Sequence, residues 1–545
     1  MKASRLFVNC LESEGVDYVF GVPGEENIDL LESIDSSKIR FILTRHESGA
    51  AFMANVYGRL THKPGVCLST LGPGATNMIT GIADAYLDKA PLVGITAQSP
   101  LEAMHKESHQ YIDSHELFKS ITAWSKMITR AELIPEIVRK AFDIAVDRSS
   151  PVHIELPEDI ACEELKPPEP LKRTPHSLDI CAMETIKKAA EAISRSSSCI
   201  ILAGNGVIRS EASKALLEFA SSANIPVATT FMGKGAIPAD SELCIGTVGL
   251  QARDYAFCGL EKAVMVIAVG YDCVEYFPKF WNPNGRNKRI IHIHTSHPEI
   301  DADYMPAFSL AGDISENLRR LGAVVKKKKI ESYFFRLRDI VGEELSCFAE
   351  DRSFPLKPQR IVYEMREALG RDDIVVSDVG AHKLWIARLY PAYEANTVII
   401  SNGFSSMGIS IPGAMAAKFV CKERKVIAAC GDGGFLMSAQ EIETAIRNKI
   451  NLVILIFNDS KYGLIEMKER QKFRKSFSVD FKNPDFSKLA SSFGAEGIRI
   501  EKAEQLGDAL KEALKMNKLC IIDVPVDYSE NITLMEKLGN NICRI

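Results

Sequence analysis

Between Val16 and Pro157 the chain alternates short β-branched runs (VDYVFGVPG, IRFILTRHE, GVCLSTLGPG, PLVGITAQSP and PVHIELP) with stretches of helical periodicity. Continuous apolar runs of this length suit strands buried on both faces, and the intervening amphipathic stretches suit crossover helices. The same alternation returns twice. A second set comprises SSCIILAGNG, IPVATTF, AVMVIAVG and RIIHIH, and a third comprises DIVVSDVG, TVIISNG, KVIAACGDGG, NLVILIFND and LCIIDVPVD. The pattern predicts an α/β protein of three doubly wound, parallel-sheet domains.

Breaks in the pattern set the boundaries. CEELKPPEPLKRTPHS places four prolines in quick succession, which suits an extended linker over residues 163–182. The second block fades at VVKKKKIES and the third opens after FPLKPQ, which puts another boundary over 325–357. The domains are therefore expected at 1–165, 183–325 and 355–545, with the lysine run a solvated linker or helix end. Three successive blocks of similar size also suggest related architectures.

Length and composition narrow the function. The 545 residues allow three or four domains, and 46% hydrophobic with 25% charged residues is ordinary globular usage, not disorder. A net charge of −5 gives no excess positive field to attract nucleic acid. The opening apolar stretch is broken by Asn9 and Glu12, and runs such as NLVILIF fall short of the ~20 residues of a membrane span, so neither secretion nor a membrane partner is expected. Thirteen cysteines are scattered without a CxxC pair, which reads as reduced thiols in the cytoplasm.

The strongest chemical signal is KVIAACGDGGFLMSAQEIETAIRNKINLVILIFNDSKYG. A buried strand ends at Cys430, glycines allow a tight turn, a helix is expected from about Ser438, and another strand delivers Asn458 and Asp459. Two strand ends then present Asp432 and Asp459, 27 positions apart, on one sheet edge. Parallel sheets bind ligands at that edge, where turn amides suit phosphate and carboxylates suit magnesium. A lone GDG more often builds a turn. Its context here is what points to a magnesium-bound diphosphate.

This constellation resembles the thiamine diphosphate motif, a GDG answered by an Asn-Asn or Asn-Asp pair. The resemblance implies that Asp432, Asp459 and the backbone carbonyl of Lys461 ligate Mg2+, that Gly433 and Gly434 touch the diphosphate, and that Tyr462 lies beside the cofactor. Further segments extend the likeness. VFGVPG, TRHESGAAFMANVYGR and STLGPGATNMITGIADAY resemble the pyrimidine-binding domain of acetohydroxyacid and acetolactate synthases, while DVGAHKLWIARLY and SNGFSSMGISIPGAMAA resemble the segments that cup the cofactor from its other side.

The resemblance assigns Glu47 to the aminopyrimidine ring nitrogen, where it promotes the imino form that activates the cofactor. Such a carboxyl must hold a proton, and burial in apolar surroundings favours that form. Met407 becomes the wedge that bends the cofactor, Ser405 and Met407 hold the aminopyrimidine through their backbones, and Gly380, Ala381 and His382 lie beside the diphosphate. Gln110 stands near the reacting carbonyl, where an amide donor stabilises developing charge.

The likeness covers nearly the whole chain and is closest to the catabolic, flavin-independent type of acetolactate synthase. Where the flavin-containing branch carries GARFDDR, this chain reads GYDCVEY, so Tyr271 replaces an arginine. Lys468 stands where that branch places a tryptophan favouring 2-ketobutyrate. AGNGVIRS is too weak to assert dinucleotide binding, and FAD is not expected. The implied activity is condensation of two pyruvates to 2-acetolactate with release of CO2, in a homodimer or homotetramer whose first domain faces the third domain of a neighbouring subunit. The alternatives are another thiamine diphosphate-dependent 2-keto acid decarboxylase or carboligase, and a non-catalytic scaffold.

Overall fold

The computed structural model describes residues 1–166, 168–174, 177–249, 254–283, 285, 288–531, 534 and 543. The first block supplies β1 (Tyr18–Gly21), β2 (Arg40–Leu43), β3 (Gly65–Ser69), β4 (Leu92–Gln98), β5 (Trp124–Met127) and β6 (Pro151–Pro157). The middle block supplies β7 (Cys199–Ala203), β8 (Val227–Thr229), β9 (Cys244–Thr247), β10 (Met265–Val269), β11 (Arg289–His294) and β12 (Phe308–Ala311). The third supplies β13 (Ile374–Ser377), β14 (Val398–Ile400), β15 (Val426–Gly431), β16 (Val453–Asn458), β17 (Glu496–Arg499) and β18 (Cys520–Pro525). Each set forms one six-stranded sheet in which every pairing is parallel. The expected three α/β sheets are present.

Strand order separates the middle sheet from the other two. The outer sheets run β2-β1-β3-β4-β6-β5 and β14-β13-β15-β16-β18-β17, which is one topology used twice. The middle sheet runs β12-β11-β10-β7-β8-β9, the doubly wound order typical of dinucleotide-binding domains. The expectation of three related blocks therefore holds for two of them.

Four strands escape the hydrophobic reading: β5, β9, β12 and β17. All four are sheet edges, and their side chains are only partly buried, whereas β4 and β6 are buried from end to end. An edge strand has one neighbour and a wet flank, so its residues need not be apolar.

The first and third sheets share a core. Phe20, Met53 and Val56 pack in one cluster with Ile411, Met415 and Ile456. The helix Glu47–Thr61 lies against the helix Ser410–Val420, and a Cβ on Gly413 would stand 2.9 Å from Val56 Cγ2, so only glycine permits this approach. A buried charged seam joins the same two blocks. Arg59 donates to Asp88 at 3.3 Å and to the Ile400 carbonyl at 3.0 Å, while Asp88 accepts from Gly403 N at 2.7 Å.

Local details correct several expectations. The glycines after Cys430 form the first turn of the helix Asp432–Ser438, which begins six residues before the expected Ser438. The 325–357 stretch holds the helix Ser332–Cys347, with Phe334 and Leu337 buried. Within the lysine run, Lys328 is half-buried and donates to the carbonyls of Ile193 and Ser194, both at 3.2 Å, and of Ser196, so it caps the end of the helix Met183–Arg195. Cys258 and Cys543 form a disulfide across 285 positions, contrary to thirteen reduced thiols, because Cys543 lies beside Cys258 of the middle block, a proximity that sequence spacing does not reveal. The other eleven cysteines are free. No helix among the described residues is long and apolar enough to cross a membrane.

Two core histidines give the fold an acid dependence. His153 lies between Thr96 Oγ1 and Ser125 Oγ, each at 2.9 Å, and burial pushes its pKa down from 6.5 to about 3. His292 meets Tyr304 Oη at 2.8 Å and is pushed down to about 4, again chiefly by burial. Both stay neutral when folded and protonate on unfolding below pH 6.5, so their contribution is present above that pH and lost as pH falls. Stability should drop by about 1.4 kcal/mol per pH unit per histidine below that point. Thermal unfolding from about pH 7.5 to about pH 5 checks this; an unchanged midpoint would refute it.

Candidate active site

In the third sheet successive strands are added in opposite directions on either side of the β13–β15 pair, and ligands of such sheets bind where the strand order switches. A cavity of about 240 Å³ opens there. The turn after β13 brings Gly380, Ala381 and His382 to its wall, and the loop after β14 brings Ser405 and Met407. Asp432, Gly433 and Gly434 follow β15, and Asp459, Lys461 and Tyr462 follow β16. Every residue expected from the third block is thus on one cavity.

The wall fits a diphosphate and a cation. The helices Ala381–Leu389 and Gly463–Phe473 start at the cavity, so their first N–H groups and positive dipole ends are available to an anion. A Cβ on Gly434 would lie 2.7 Å from Asp378 Oδ1, and one on Gly433 would lie 2.8 Å from Tyr462 Cε1, so the turn excludes larger residues. His382 is buried and held neutral by desolvation, with its pKa lowered to about 3, and its Nε2 has no partner among the described residues. Buried polar atoms are rarely left so, and a phosphate oxygen would satisfy this one.

Negative charge is concentrated on the other side. Asp459 is pushed up to about 7 by burial and by the charges of Asp432 and Glu466. Asp432 accepts from Gly433 N at 2.9 Å, Ser460 N at 2.6 Å and Asn483 Nδ2 at 2.7 Å. The same Asn483 amide reaches Asn458 Oδ1 at 3.0 Å, so a neutral donor ties the two strand ends together. Asn483 carries no recognisable motif and sequence reasoning missed it. Burial raises the pKa of Asp432 as well, and two desolvated carboxyls on one wall suit a bound cation. Among the described residues no cluster of three or more His, Cys, Asp or Glu side chains forms a protein-only metal site.

Asp378, at the end of β13, organises the Met407 loop. It is buried and accepts from Val379 N, Gly408 N, Ser410 N and Ser410 Oγ, all within 3.1 Å. Ser405 adopts φ 57°, and its hydroxyl receives Lys383 Nζ at 3.1 Å. These contacts fix the bend that carries Met407 to the wall. The signal was present in DVGAHKLW, but its structural role depends on a loop 30 positions away.

Glu47 and Gln110 are not on this cavity. Glu47 begins the helix Glu47–Thr61, is buried, and accepts from Asn77 Nδ2 at 3.0 Å. Its helix start is clamped by Glu441 of the third block, which accepts from Arg45 N at 3.1 Å and His46 N at 3.0 Å. Gln110 is exposed with φ 55°, and its carbonyl oxygen lies 2.3 Å from where a Cβ on Gly72 would be. Gly74 faces Glu47 in the same turn. The expected residues thus fall into two groups, with Glu47 and Gln110 around the turn after β3 and the remaining residues around the turns after β13, β14, β15 and β16.

The middle sheet also has a switch point, between β7 and β10, and a side chain of the protein fills it. The Glu275 carboxylate accepts from Asn205 N at 3.1 and 3.0 Å, from Asp272 N at 3.2 Å and from Thr230 Oγ1 at 2.5 Å. Tyr271 is buried, donates to the Tyr276 carbonyl and receives Trp281 Nε1 at 3.3 Å, so it serves the core. Lys468 is half-buried on the helix Gly463–Phe473.

Comparison with known proteins agrees with this layout. Residues 1–117 match the N-terminal TPP binding domain of thiamine pyrophosphate enzymes, 186–321 match their central domain, and 378–524 match their C-terminal TPP binding domain. An acetolactate synthase of Bacillus subtilis is 36% identical over 98% of this chain and 94% of its own. A probable acetolactate synthase large subunit of Methanocaldococcus jannaschii is 35% identical over 99% and 94%. The catabolic acetolactate synthase of Raoultella terrigena is 32% identical over 98% and 96%. With all three domains matched and relatives aligned almost end to end, the chain belongs to the acetolactate synthase family of thiamine pyrophosphate enzymes.

Proposed function

We propose that this chain decarboxylates one pyruvate and joins the remaining two-carbon unit to a second, giving 2-acetolactate and CO2. The observation that carries the reading is the third sheet's switch point, where two helix N-termini, the unpartnered Nε2 of neutral His382 and the Asp432–Asp459 pair converge. Acetolactate synthases are among the relatives that align over almost the whole chain.

Thiamine diphosphate, when bound, supplies the nucleophilic carbon and the electron sink for decarboxylation. Asp432, Asp459 and the Lys461 carbonyl would hold Mg2+, and Gly433, Gly434 and His382 would bind the diphosphate. Ser405 and Met407 would hold the cofactor's aminopyrimidine part, with Met407 as the wedge, and Tyr462 would lie beside it. Glu47 moves the activating proton at the pyrimidine, and Gln110 polarises the substrate carbonyl. Because the two groups form half-sites that are apart within one chain, Glu47 of one subunit serves the cavity of another, and a homodimer or homotetramer is the working form. Glu275 occupies the amides that a dinucleotide phosphate would need, which supports a flavin-free middle domain. The eleven free cysteines suit a cytoplasmic protein.

The direct test supplies pyruvate, thiamine diphosphate and Mg2+ and measures acetolactate. Formation of acetolactate is expected, with little acetaldehyde. Acetaldehyde alone would replace the synthase with a 2-keto acid decarboxylase, and no product from folded, cofactor-loaded protein would reject the substrate.

A further inference from the structure

The seam between the middle and third blocks encloses a second cavity, about 770 Å³, roughly threefold larger than the one at the switch point. It is bounded by loop 234–242 with β9, by the helix Ser332–Cys347 and by the C-terminal end of the helix Ala381–Leu389. The loop is fixed to the third block: Ala239 N donates to the Ala392 carbonyl at 2.9 Å, and Asp240 pairs with Arg371 at 2.7 Å.

Lys234 lies on the wall of this cavity and is only 7% exposed. Its ammonium donates to Thr247 Oγ1 at 3.3 Å and meets no carboxylate among the described residues. Arg388, on the same wall, differs. It is held by Asp254 at 3.0 Å and Glu344 at 2.5 Å, so its charge is already matched. A buried cation with one hydroxyl partner is unfavourable unless something supplies an anion, and burial accordingly lowers the Lys234 pKa to about 8.

We propose that this cavity binds a small monocarboxylic acid with an apolar body, its carboxylate seated on Lys234 and Thr247. One uncompensated positive charge matches one negative charge. The exposed Glu242 and Glu343 add negative charge to the wall and disfavour a phosphate dianion. Ile237, Ile245 and Leu345 offer apolar surface beyond the lysine. A site of this volume, lined by apolar and charged side chains together, lies in the range that holds small organic ligands.

Calorimetry on cofactor-loaded protein with hexanoate tests this, with hexan-1-ol and inorganic phosphate as controls. Hexanoate should bind while neither control does, and Lys234→Met should weaken it by about tenfold or more, the worth of one charge-assisted hydrogen bond. Leu345→Trp fills the cavity from the helix Ser332–Cys347, leaves Lys234 in place, and should abolish the same binding event should Lys234→Met fail to fold. A carboxylate binding elsewhere, including at the switch point, would persist in both variants. Hexanoate binding that is unchanged by either substitution, or matched by hexan-1-ol, overturns the proposal.

Discussion

Glu47→Gln should lower turnover of pyruvate about a thousandfold, within the range for losing a proton-transfer group, while changing thiamine diphosphate affinity by less than about threefold. The asymmetry follows from position. Glu47 is in the first half-site, whereas the groups assigned to the diphosphate and Mg2+ follow β13, β15 and β16. Glutamine keeps the size of the side chain and can still accept from Asn77, so the helix start held by Glu441 should remain intact. Steady-state kinetics gives the turnover. A cofactor titration followed by tryptophan fluorescence gives the affinity, with Trp385 on the helix that starts at the cavity. Near-normal turnover would remove Glu47 from the chemistry.

A mixture of two inactive variants should recover activity. Glu47→Gln damages only the first half-site and Asp432→Ala only the other. If a site draws Glu47 from one subunit and Asp432 from its neighbour, a mixed dimer contains one site damaged twice and one intact. Random reassociation makes half the dimers mixed, so about one quarter of wild-type activity should return. Co-expression with two different affinity tags, followed by assay of the doubly purified mixed dimer, should give about one half of wild-type activity, because one of its two sites is intact. If each chain built its own complete site, the mixture would stay as inactive as its components.

Much of this arrangement was legible in the amino-acid order. The central strands are rich in Val, Ile, Leu and Ala because they are covered on both faces, and that requirement writes itself into the sequence. The turns after β13 and β15 were legible through their glycines and carboxylates, whose residue types are restricted by the space available at Gly434 and by the charge at Asp432. The partly wet edge strands β5, β9, β12 and β17 face no such restriction and were missed. Asn483, Asp378 and Glu441 escaped for a different reason. Each acts on a segment distant in the chain, and an asparagine or acidic residue considered alone has many commoner uses. Cys258 and Cys543 illustrate the same limit. Glu275 was passed over within GYDCVEY because its importance lies in the amides of Asn205, 70 positions earlier.

The clamp of Glu441 on Arg45 and His46 spans 396 and 395 positions and ties the start of the Glu47 helix to a late part of the chain. On a ribosome adding about 5–20 residues per second, that acceptor emerges roughly 20 to 80 seconds after the amides it serves. Until then the N–H groups of Arg45 and His46 have only water, and the helix lacks the partner with which it shares a core. The first domain leaves the ribosome as an unfinished piece. Glu47 is set in place only once Glu441 has been translated, and a chain terminated before Glu441 lacks both this clamp and the cavity residues Asp459, Lys461 and Tyr462.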